Sequence, residues 1–427
     1  MQIDLAFGKT GLPVTLPTGY NYQLLEARSA QGLPDEAAAI AAALDAPIGR
    51  PPLAQLALGK RTAAISVCDI TRPAPNRRVL PPLLARLEAG GIARENVVIL
   101  IATGLHREAT ADEMREIVGP EIYGTIRVEN HRAKNFDEHV SLGTTASGTP
   151  VFIDRRFLDA DLHITLGFIE PHLMLGFSGG RKLVAPGLAA QETIKVIHSP
   201  KFMRDPRATE GSIADNPLHR ELLEIARLAR HDFMVDVALT RDRRIAQVFA
   251  GDPELAHARG AAFVADTMLE RLDSLVDVVI TTAAGYPLDL TYYQTIKGVT
   301  AASHIVTLGG RILVLSACTE GVGAPEFAAM MERFPEPEAF MKATLSAPVE
   351  VDQWQLEKLA LVCARQELHY YVPGLPERYR SVLWGKSYDS AEEAIAGVLE
   401  GVRSDARVAV IPEGPYVLAR VAEPVRA

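Results

Sequence analysis

The sequence predicts an α/β protein of two α/β domains, with mainly parallel sheets and the active site in the interdomain cleft. Short β-branched runs alternate with longer helical runs, which is the pattern of βαβ units. A length of 427 residues suits two or three domains. With 48% hydrophobic and 23% charged residues, the chain has the composition of a globular protein with a large core.

The first domain is expected to span residues 1–272. Its strands are predicted where β-branched and other apolar residues run together, at residues 61–67, 96–102, 125–129, 160–167 and 233–239. Its helices are predicted between these runs, at residues 79–88, 110–118, 216–229 and 253–272. Gly90 and Gly91 end the first of these helices.

The second domain is expected to span residues 273–427. It begins with a strand at 275–282, a helix at about 291–304 and a strand at 311–316. No Pro-rich or Ser-rich linker marks the boundary. A strand at 408–411 suits either domain, and residues 408–427 are expected to be able to pack back on the first domain.

Charge and targeting signals exclude several classes of protein. The net charge of −9 disfavours binding to nucleic acid or to anionic membrane surfaces. The start of the chain lacks the features of a signal peptide, and no apolar run approaches the ~20 residues of a membrane helix. Cys68, Cys318 and Cys363 are too scattered for a disulfide framework or a cysteine-based zinc cluster. We expect a cytoplasmic protein with structural thiols.

Polar clusters follow three of the predicted strands. The strand at 61–67 runs into residues 69–73 with Asp69 and Arg72, the strand at 96–102 into residues 103–107 with His106, and the strand at 160–167 into Glu170 and His172. Singly, such residues are more often structural, and Arg72 could simply pair with Asp69. If the three strands are parallel neighbours, however, one arginine and two histidines share one crevice at their carboxyl ends.

A glycine-rich stretch, LGFSGGRK at residues 175–182, follows. Its backbone N–H groups suit a phosphate, and Arg181 and Lys182 add charge. It matches neither a Walker loop, because Lys182 follows Arg181 and precedes Leu183, nor a G-x-G-x-x-G fingerprint. The alternative is a tight turn with an exposed basic pair.

The second domain adds further candidates. Gln294 and Lys297 are at i and i+3 and share a helix face. Their side chains could extend together across the interdomain cleft, or they could lie on a solvated face of the helix. Trp354 could line the site of a flat cofactor, or it could pack in the hydrophobic core.

These residue types favour chemistry on a small carboxylate. Arginine binds a carboxylate through two parallel hydrogen bonds. Two histidines on opposite faces of one carbon are the arrangement expected of a racemase. The α-proton of a 2-hydroxy acid is too weakly acidic for histidine, so the hydrogen must leave as hydride to an electrophilic cofactor. The residues alone do not name that cofactor.

Six ordered motifs carry a family resemblance: DITRP, ATGLH, GFIEPH, GFSGGRK, IHSP and YYQTIKG. Together they resemble the nickel-dependent lactate racemase family from about Ser66 to Gly298, with Trp354 as a later marker. The resemblance implies a nickel-pincer nucleotide (pyridinium-3-thioamide-5-thiocarboxylic acid mononucleotide) attached covalently at Lys182. Nickel would be held by the cofactor and by His198.

The resemblance also implies a role for each matching residue. His106 and His172 would be the acid/base pair, and Arg72 would bind the substrate carboxylate with help from Gln294, Lys297 and Tyr293. The residues implied in cofactor binding besides Lys182 are Ser66, Asp69, Thr71, Gly176, Ser178, Gly179, Gly180 and Trp354.

The implied activity is inversion of C2 of lactate or a related 2-hydroxycarboxylate by reversible hydride transfer. One histidine takes the hydroxyl proton, a transient 2-keto acid forms, and the opposite histidine returns the proton. The implied partners are this small substrate and, transiently, the enzymes that build the cofactor. Two alternatives stay open: a metal-dependent hydrolase or lyase that uses the histidine pair, and a non-catalytic cofactor-binding protein.

Overall fold

A computed structural model gives the fold of residues 1–421. The strands are β1 (Gln2–Leu5), β2 (Leu12–Thr15), β3 (Asn21–Leu24), β4 (Ala63–Cys68), β5 (Val97–Ala102), β6 (Arg127–Asn130), β7 (His139–Thr144), β8 (Pro150–Asp154), β9 (Leu162–Phe168), β10 (Pro171–His172), β11 (Gly176–Phe177), β12 (Phe233–Leu239), β13 (Ile245–Gly251), β14 (Leu269–Leu272), β15 (Val276–Thr282), β16 (Val306–Leu315), β17 (Glu367–Tyr371), β18 (Lys386–Ser387), β19 (Arg407–Ile411) and β20 (Leu418–Val421).

The α-helices lie mostly between these strands. They are α1 (Glu36–Asp45), α2 (Leu53–Leu56), α3 (Asn76–Ala89), α4 (Ala111–Val118), α5 (Pro120–Thr125), α6 (Arg155–Leu158), α7 (Gln191–Ile197), α8 (Pro200–Met203), α9 (Pro217–Leu228), α10 (Pro253–Met268), α11 (Tyr292–Ser303), α12 (Pro325–Arg333), α13 (Pro337–Thr344), α14 (Gln353–Cys363), α15 (Glu377–Arg380) and α16 (Ala391–Leu399).

The chain forms two compact units. The first unit contains residues 29–197 and 207–267, and the second contains residues 1–28, 198–206 and the described residues from 268 onward. The mixed α/β class and the mainly parallel sheets predicted from the sequence are confirmed.

The first unit is built on a six-stranded sheet of order β13-β12-β9-β4-β5-β6. All neighbours pair in parallel except β13, which is antiparallel to β12 at one edge. Every residue of β4 is buried, as expected for the centre of a covered parallel sheet. Helix α3 packs Leu80, Leu83 and Leu87 into the same core as Ile65 and Val67.

The second unit is built on a six-stranded sheet of order β18-β17-β16-β15-β19-β3, in which all neighbours pair in parallel. Its core joins Val279 of β15, Ile296 of α11 and Leu356 of α14. Helix α11 begins at an N-cap, because the Thr291 side chain accepts a hydrogen bond from the N–H of Gln294.

The predicted strands of the first domain correspond to β4, β5, β6, β9 and β12. The helix predicted at 253–272 is wrong at its end. Helix α10 stops at Met268, because residues 269–272 form β14 and pair in parallel with β20. The hairpin β7–β8 and the antiparallel strand β13 were not predicted.

The two units are not contiguous along the chain, and the domain boundary expected after residue 272 stays a prediction. Residues 1–28 belong to the second unit, because β3 pairs with β19 and because Leu5 and Leu16 share a core with Ile280. Strand β19 lies inside the second unit's sheet, and β20 pairs with β14 of the same unit. The expectation that residues 408–427 could pack back on the first domain stays a prediction, and residues 422–427 lie outside the described residues.

In residues 1–421, no helix has the length and apolar character needed to cross a membrane. Cys68, Cys318 and Cys363 are unpaired thiols, as the sequence predicts. Burial raises the pKa of Cys68 to about 12, which fits an inert structural thiol.

Candidate active site

The three polar clusters lie at the carboxyl ends of three adjacent strands. The sheet order places β4 between β9 and β5, and all three run parallel. The clusters that carry Arg72, His106 and His172 therefore follow neighbouring strands at one edge of the sheet. The expectation that these strands are parallel neighbours is confirmed.

Asp69 and His106 form a hydrogen-bonded pair at this edge. His106 Nδ1 lies 2.6 Å from Asp69 Oδ2, and Thr71 Oγ1 donates to Asp69 Oδ1 at 2.6 Å. Burial acts to raise the pKa of Asp69, but the hydrogen bonds from His106 and Thr71 and the charge of Arg72 outweigh it and lower that pKa. The ionised carboxylate keeps the proton of a neutral His106 on Nδ1, so Nε2 is left as the proton acceptor.

In neutral His172 the ring proton lies on the other nitrogen. Its Nδ1 accepts a hydrogen bond from the N–H of Met174 at 3.4 Å, so a neutral His172 carries its proton on Nε2. It lies in the β10–β11 hairpin, opposite Gly176. Gly176 has a φ of +77°, and a Cβ there would lie 2.0 Å from the Ser212 carbonyl oxygen, so the hairpin requires glycine at this position.

Arg72 is half-buried beside Glu170. Its Nη1 lies 4.0 Å from Glu170 Oε1, which is too long for a hydrogen bond. The ion pair with Asp69 that the sequence left open is replaced by this looser contact with Glu170. Arg72 is thus a guanidinium at the edge of the sheet, next to the loop that carries His172.

The glycine-rich loop is held by the sheet beneath it. The N–H of Gly180 donates to Asp236 Oδ2 at 2.7 Å, and the N–H of Ser178 donates to the Glu170 carbonyl at 2.9 Å. Ser178 Oγ donates to the Phe168 carbonyl at 2.9 Å. The sequence predicted that these N–H groups could bind a phosphate, but those of Ser178 and Gly180 donate to acceptors within the protein.

Arg181 contradicts the interpretation of an exposed basic pair. It is 1% exposed, and its guanidinium donates to the carbonyls of Leu175 and Phe177 at 3.1 and 2.8 Å. Burial lowers its pKa to about 9, against the opposing charge of Asp236. Arg181 holds the loop from inside and does not supply surface charge.

Lys182 is half-buried in a short 3-10 helix, Gly180–Leu183. Ser66, on the central strand β4, donates its hydroxyl to the carbonyl of Leu183 at 2.8 Å. Residue 182 is therefore anchored on both sides, by Asp236 through Gly180 and by Ser66 through Leu183.

The remaining predicted residues lie in the second unit. The rings of His198 and Trp354 are 4.5 Å apart between centroids, and Trp354 Nε1 donates to Tyr293 Oη at 3.0 Å. Gln294 and Lys297 are half-buried on α11, and Gln294 Oε1 is buried without a hydrogen-bond partner. Trp354 thus contacts both the histidine that the resemblance assigns to nickel and the tyrosine that it assigns to the substrate.

Sequence reasoning missed several supporting residues. Asp236 interrupts the apolar strand FMVDVAL, and a lone acid in such a run is a signal for a buried polar role. Arg204 and Glu357 carry no comparable signal, because they are far apart along the chain. Among residues 1–421, no cluster of three or more His, Cys, Asp or Glu side chains forms a protein-only metal site.

Comparison with known proteins identifies the family. Residues 7–211 match the lactate racemase N-terminal domain, and residues 273–419 match the lactate racemase C-terminal domain. The chain is 32% identical over 424 residues to the lactate racemase of Thermoanaerobacterium thermosaccharolyticum, covering 98% of this chain and 99% of the relative. It is 35% identical over 390 residues to the lactate racemase of Lactiplantibacillus plantarum, covering 88% of this chain and 89% of the relative.

The solved structures agree. The lactate racemase apoprotein from T. thermosaccharolyticum superposes with a TM-score of 0.91 at 32% identity, over 98% of this chain and 100% of that chain. A Thermotoga maritima protein superposes with a TM-score of 0.64 at 17% identity, over 87% of this chain and 96% of that chain, which shows a shared fold. The chain therefore belongs to the lactate racemase family, a family of racemases and hence of isomerases.

Proposed function

We propose that the protein inverts C2 of lactate or a closely related 2-hydroxycarboxylate, with His106 and His172 as the acid/base pair. The observation that carries the proposal is that the loops of Arg72, His106 and His172 follow adjacent parallel strands, with His106 Nδ1 bonded to Asp69. Neutral His106 accepts a proton at Nε2, because Asp69 binds its Nδ1. His172 returns a proton as the imidazolium, since a neutral imidazole that gave up its Nε2 proton would become an imidazolate. One histidine is set to take the hydroxyl proton and the other to return it.

Asp69 supports the base. Its buried carboxylate stabilises the imidazolium that forms when His106 takes a proton, and its lowered pKa keeps it ionised at neutral pH. For the mirror-image substrate the two histidines exchange roles, so a net reaction in either direction leaves the pair ready for the reverse turnover.

Arg72 is proposed to bind the substrate carboxylate. The 4.0 Å separation from Glu170 shows that this carboxylate does not hold the guanidinium in a bidentate hydrogen-bonded pair. Gln294, Lys297 and Tyr293 are assigned to the substrate by the resemblance. The orphaned Oε1 of Gln294 supports that assignment, because a buried carbonyl oxygen without a partner is satisfied by a hydroxyl donor.

The residues present fit the nickel-pincer nucleotide that the resemblance implies. Lys182 would carry it, since Gly180 and Leu183, which flank the stretch that contains this half-buried residue, are bonded to the sheet. His198 would bind nickel, and imidazole is a donor that suits this metal. When bound, the cofactor supplies the electrophile that accepts and returns the hydrogen of C2 as hydride.

The test uses protein co-expressed with the cofactor-building enzymes. We expect an adduct on Lys182 by intact mass and peptide mapping, bound nickel, and conversion of either lactate enantiomer to the racemate. An active protein with neither adduct nor nickel would contradict the proposal. Activity restored to apoprotein by a metal ion alone would favour the metal-dependent hydrolase or lyase alternative.

A further inference from the structure

One short segment belongs to a different unit from the residues on either side of it in the chain. Residues 198–206, here called the His198 segment, belong to the second unit, whereas Ile197 and Arg207 on either side belong to the first. The segment contains the four-residue helix α8. The contacts that keep it in the second unit therefore decide where His198 lies.

Two contacts attach the His198 segment to α14. At its start, the ring of His198 packs on Trp354 with 4.5 Å between centroids. Near its end, Arg204 Nε donates to Glu357 Oε2 at 2.7 Å and Arg204 Nη2 donates to Glu357 Oε1 at 3.2 Å. Because Trp354 and Glu357 are three residues apart on a helix, they present one face to the segment.

The second contact is a fully hydrogen-bonded buried ion pair. The Glu357 side chain is 0% exposed and that of Arg204 is 16% exposed. Arg204 also donates to the Met341 carbonyl at 2.9 Å and to Thr344 Oγ1 at 2.7 Å, and Gln353 Nε2 donates to Glu357 Oε1 at 2.9 Å. Such a network allows one geometry, because any shift leaves a buried charge without partners.

We propose that Arg204 and Glu357 are positioning residues that hold His198 against Trp354 and so fix its imidazole for nickel. The inference rests on the proposed function, in which His198 is the nickel ligand. Residues that orient a metal ligand typically change metal affinity when they are replaced, even though they never touch the metal.

The first experiment needs no cofactor. In full-length apoprotein, the variant Glu357→Gln keeps the size of the side chain but removes the charge that Arg204 binds. We expect trypsin to cleave after Lys201 roughly tenfold faster than in the wild type, because the segment opens locally more often. The matched control is Glu350→Gln, which removes the same charge from the exposed pair with Arg333 and should leave the cleavage rate unchanged. Equal rates in all three proteins would overturn the inference.

The second experiment uses protein that carries the Lys182 adduct. Nickel release into excess chelator is followed, with His198→Ala as the reference for loss of the ligand. We expect Glu357→Gln to keep the adduct and to lose nickel roughly 10- to 100-fold faster than the wild type. Faster cleavage together with wild-type nickel release would also overturn the inference, because the segment would then be loosened without any effect on the metal.

Two further measurements keep the outcome decisive. If Glu357→Gln does not fold, Arg204→Lys keeps the positive charge but loses the bidentate geometry, with Arg333→Lys as its control. If His198→Ala itself retains nickel like the wild type, the assignment of His198 as the ligand fails. The cleavage experiment then still decides whether the ion pair holds the segment.

Discussion

The buried carboxylate of Asp69 is hydrogen-bonded to the half-exposed imidazole of His106. The side chain of His106 is 53% exposed and that of Asp69 is 7% exposed, so the imidazole is open to solvent while its partner is not. The same arrangement explains why a short aspartate follows β4 directly.

Replacing Asp69 with Asn should lower racemisation turnover by roughly 100-fold or more, because the amide removes the charge that stabilises the His106 imidazolium. Turnover in both directions is measured by chiral chromatography, with intact mass to confirm the Lys182 adduct. Asp112→Asn is the matched control, since Asp112 lies on the neighbouring α4 with its side chain 92% exposed. Equal turnover in Asp69→Asn and the control would refute the role of Asp69.

Replacing Arg72 with Lys should raise KM for lactate roughly tenfold with a smaller change in kcat, because lysine keeps the charge but loses the bidentate grip. Arg107→Lys is the control, since Arg107 is an exposed neighbour paired with Glu113. A KM for Arg72→Lys equal to that of the control would show that the carboxylate binds elsewhere.

At the scale of elements, the glycine-rich loop shows what the sequence could and could not predict. The βαβ alternation predicted β4, β5 and β9 and hence the shared strand-end edge, because buried parallel strands read as continuous apolar runs. The inward direction of Arg181 was not predictable, because it depends on His257 and Asp236, which lie more than 50 residues away along the chain. The hairpin β1–β2 was missed because both its strands have only four residues.

Gly179→Ala should destabilise the first unit by about 3 kcal/mol and reduce the Lys182 adduct, whereas Gly180→Ala should cost about 1 kcal/mol. Gly179 has a φ of +87°, and a Cβ there would lie 2.2 Å from Asp236 Oδ2. At Gly180 the nearest atom is the Met234 sulfur, at 3.4 Å. Thermal unfolding and intact mass give the comparison, and equal losses in the two variants would contradict the packing account.

At the scale of the whole molecule, the sequence predicted two α/β bodies but not which chain segments belong to each. Residues 1–28 join the second unit through pairing of β3 with β19, which are nearly 400 residues apart. The His198 segment joins it through Arg204 and Glu357. Such long-range pairings leave no local pattern, so composition and periodicity do not predict them.

Stability should depend on pH through Asp236, whose pKa burial raises to about 7. Between the ordinary aspartate pKa near 4 and about pH 7, the folded state keeps a proton that the unfolded state releases, so stability falls as pH rises through this window. The variant Asp236→Asn lacks this proton and should flatten the decline. Thermal midpoints at about pH 4 to 8 test this, and parallel curves for the two proteins would refute the assignment.

The most direct test of the central claim is chiral analysis of cofactor-loaded wild type, His106→Ala and His172→Ala, each started from pure L-lactate and from pure D-lactate. The account predicts that the wild type racemises both enantiomers, whereas each variant keeps the Lys182 adduct and its nickel but loses racemisation in both directions. Unchanged turnover in both histidine variants would contradict it.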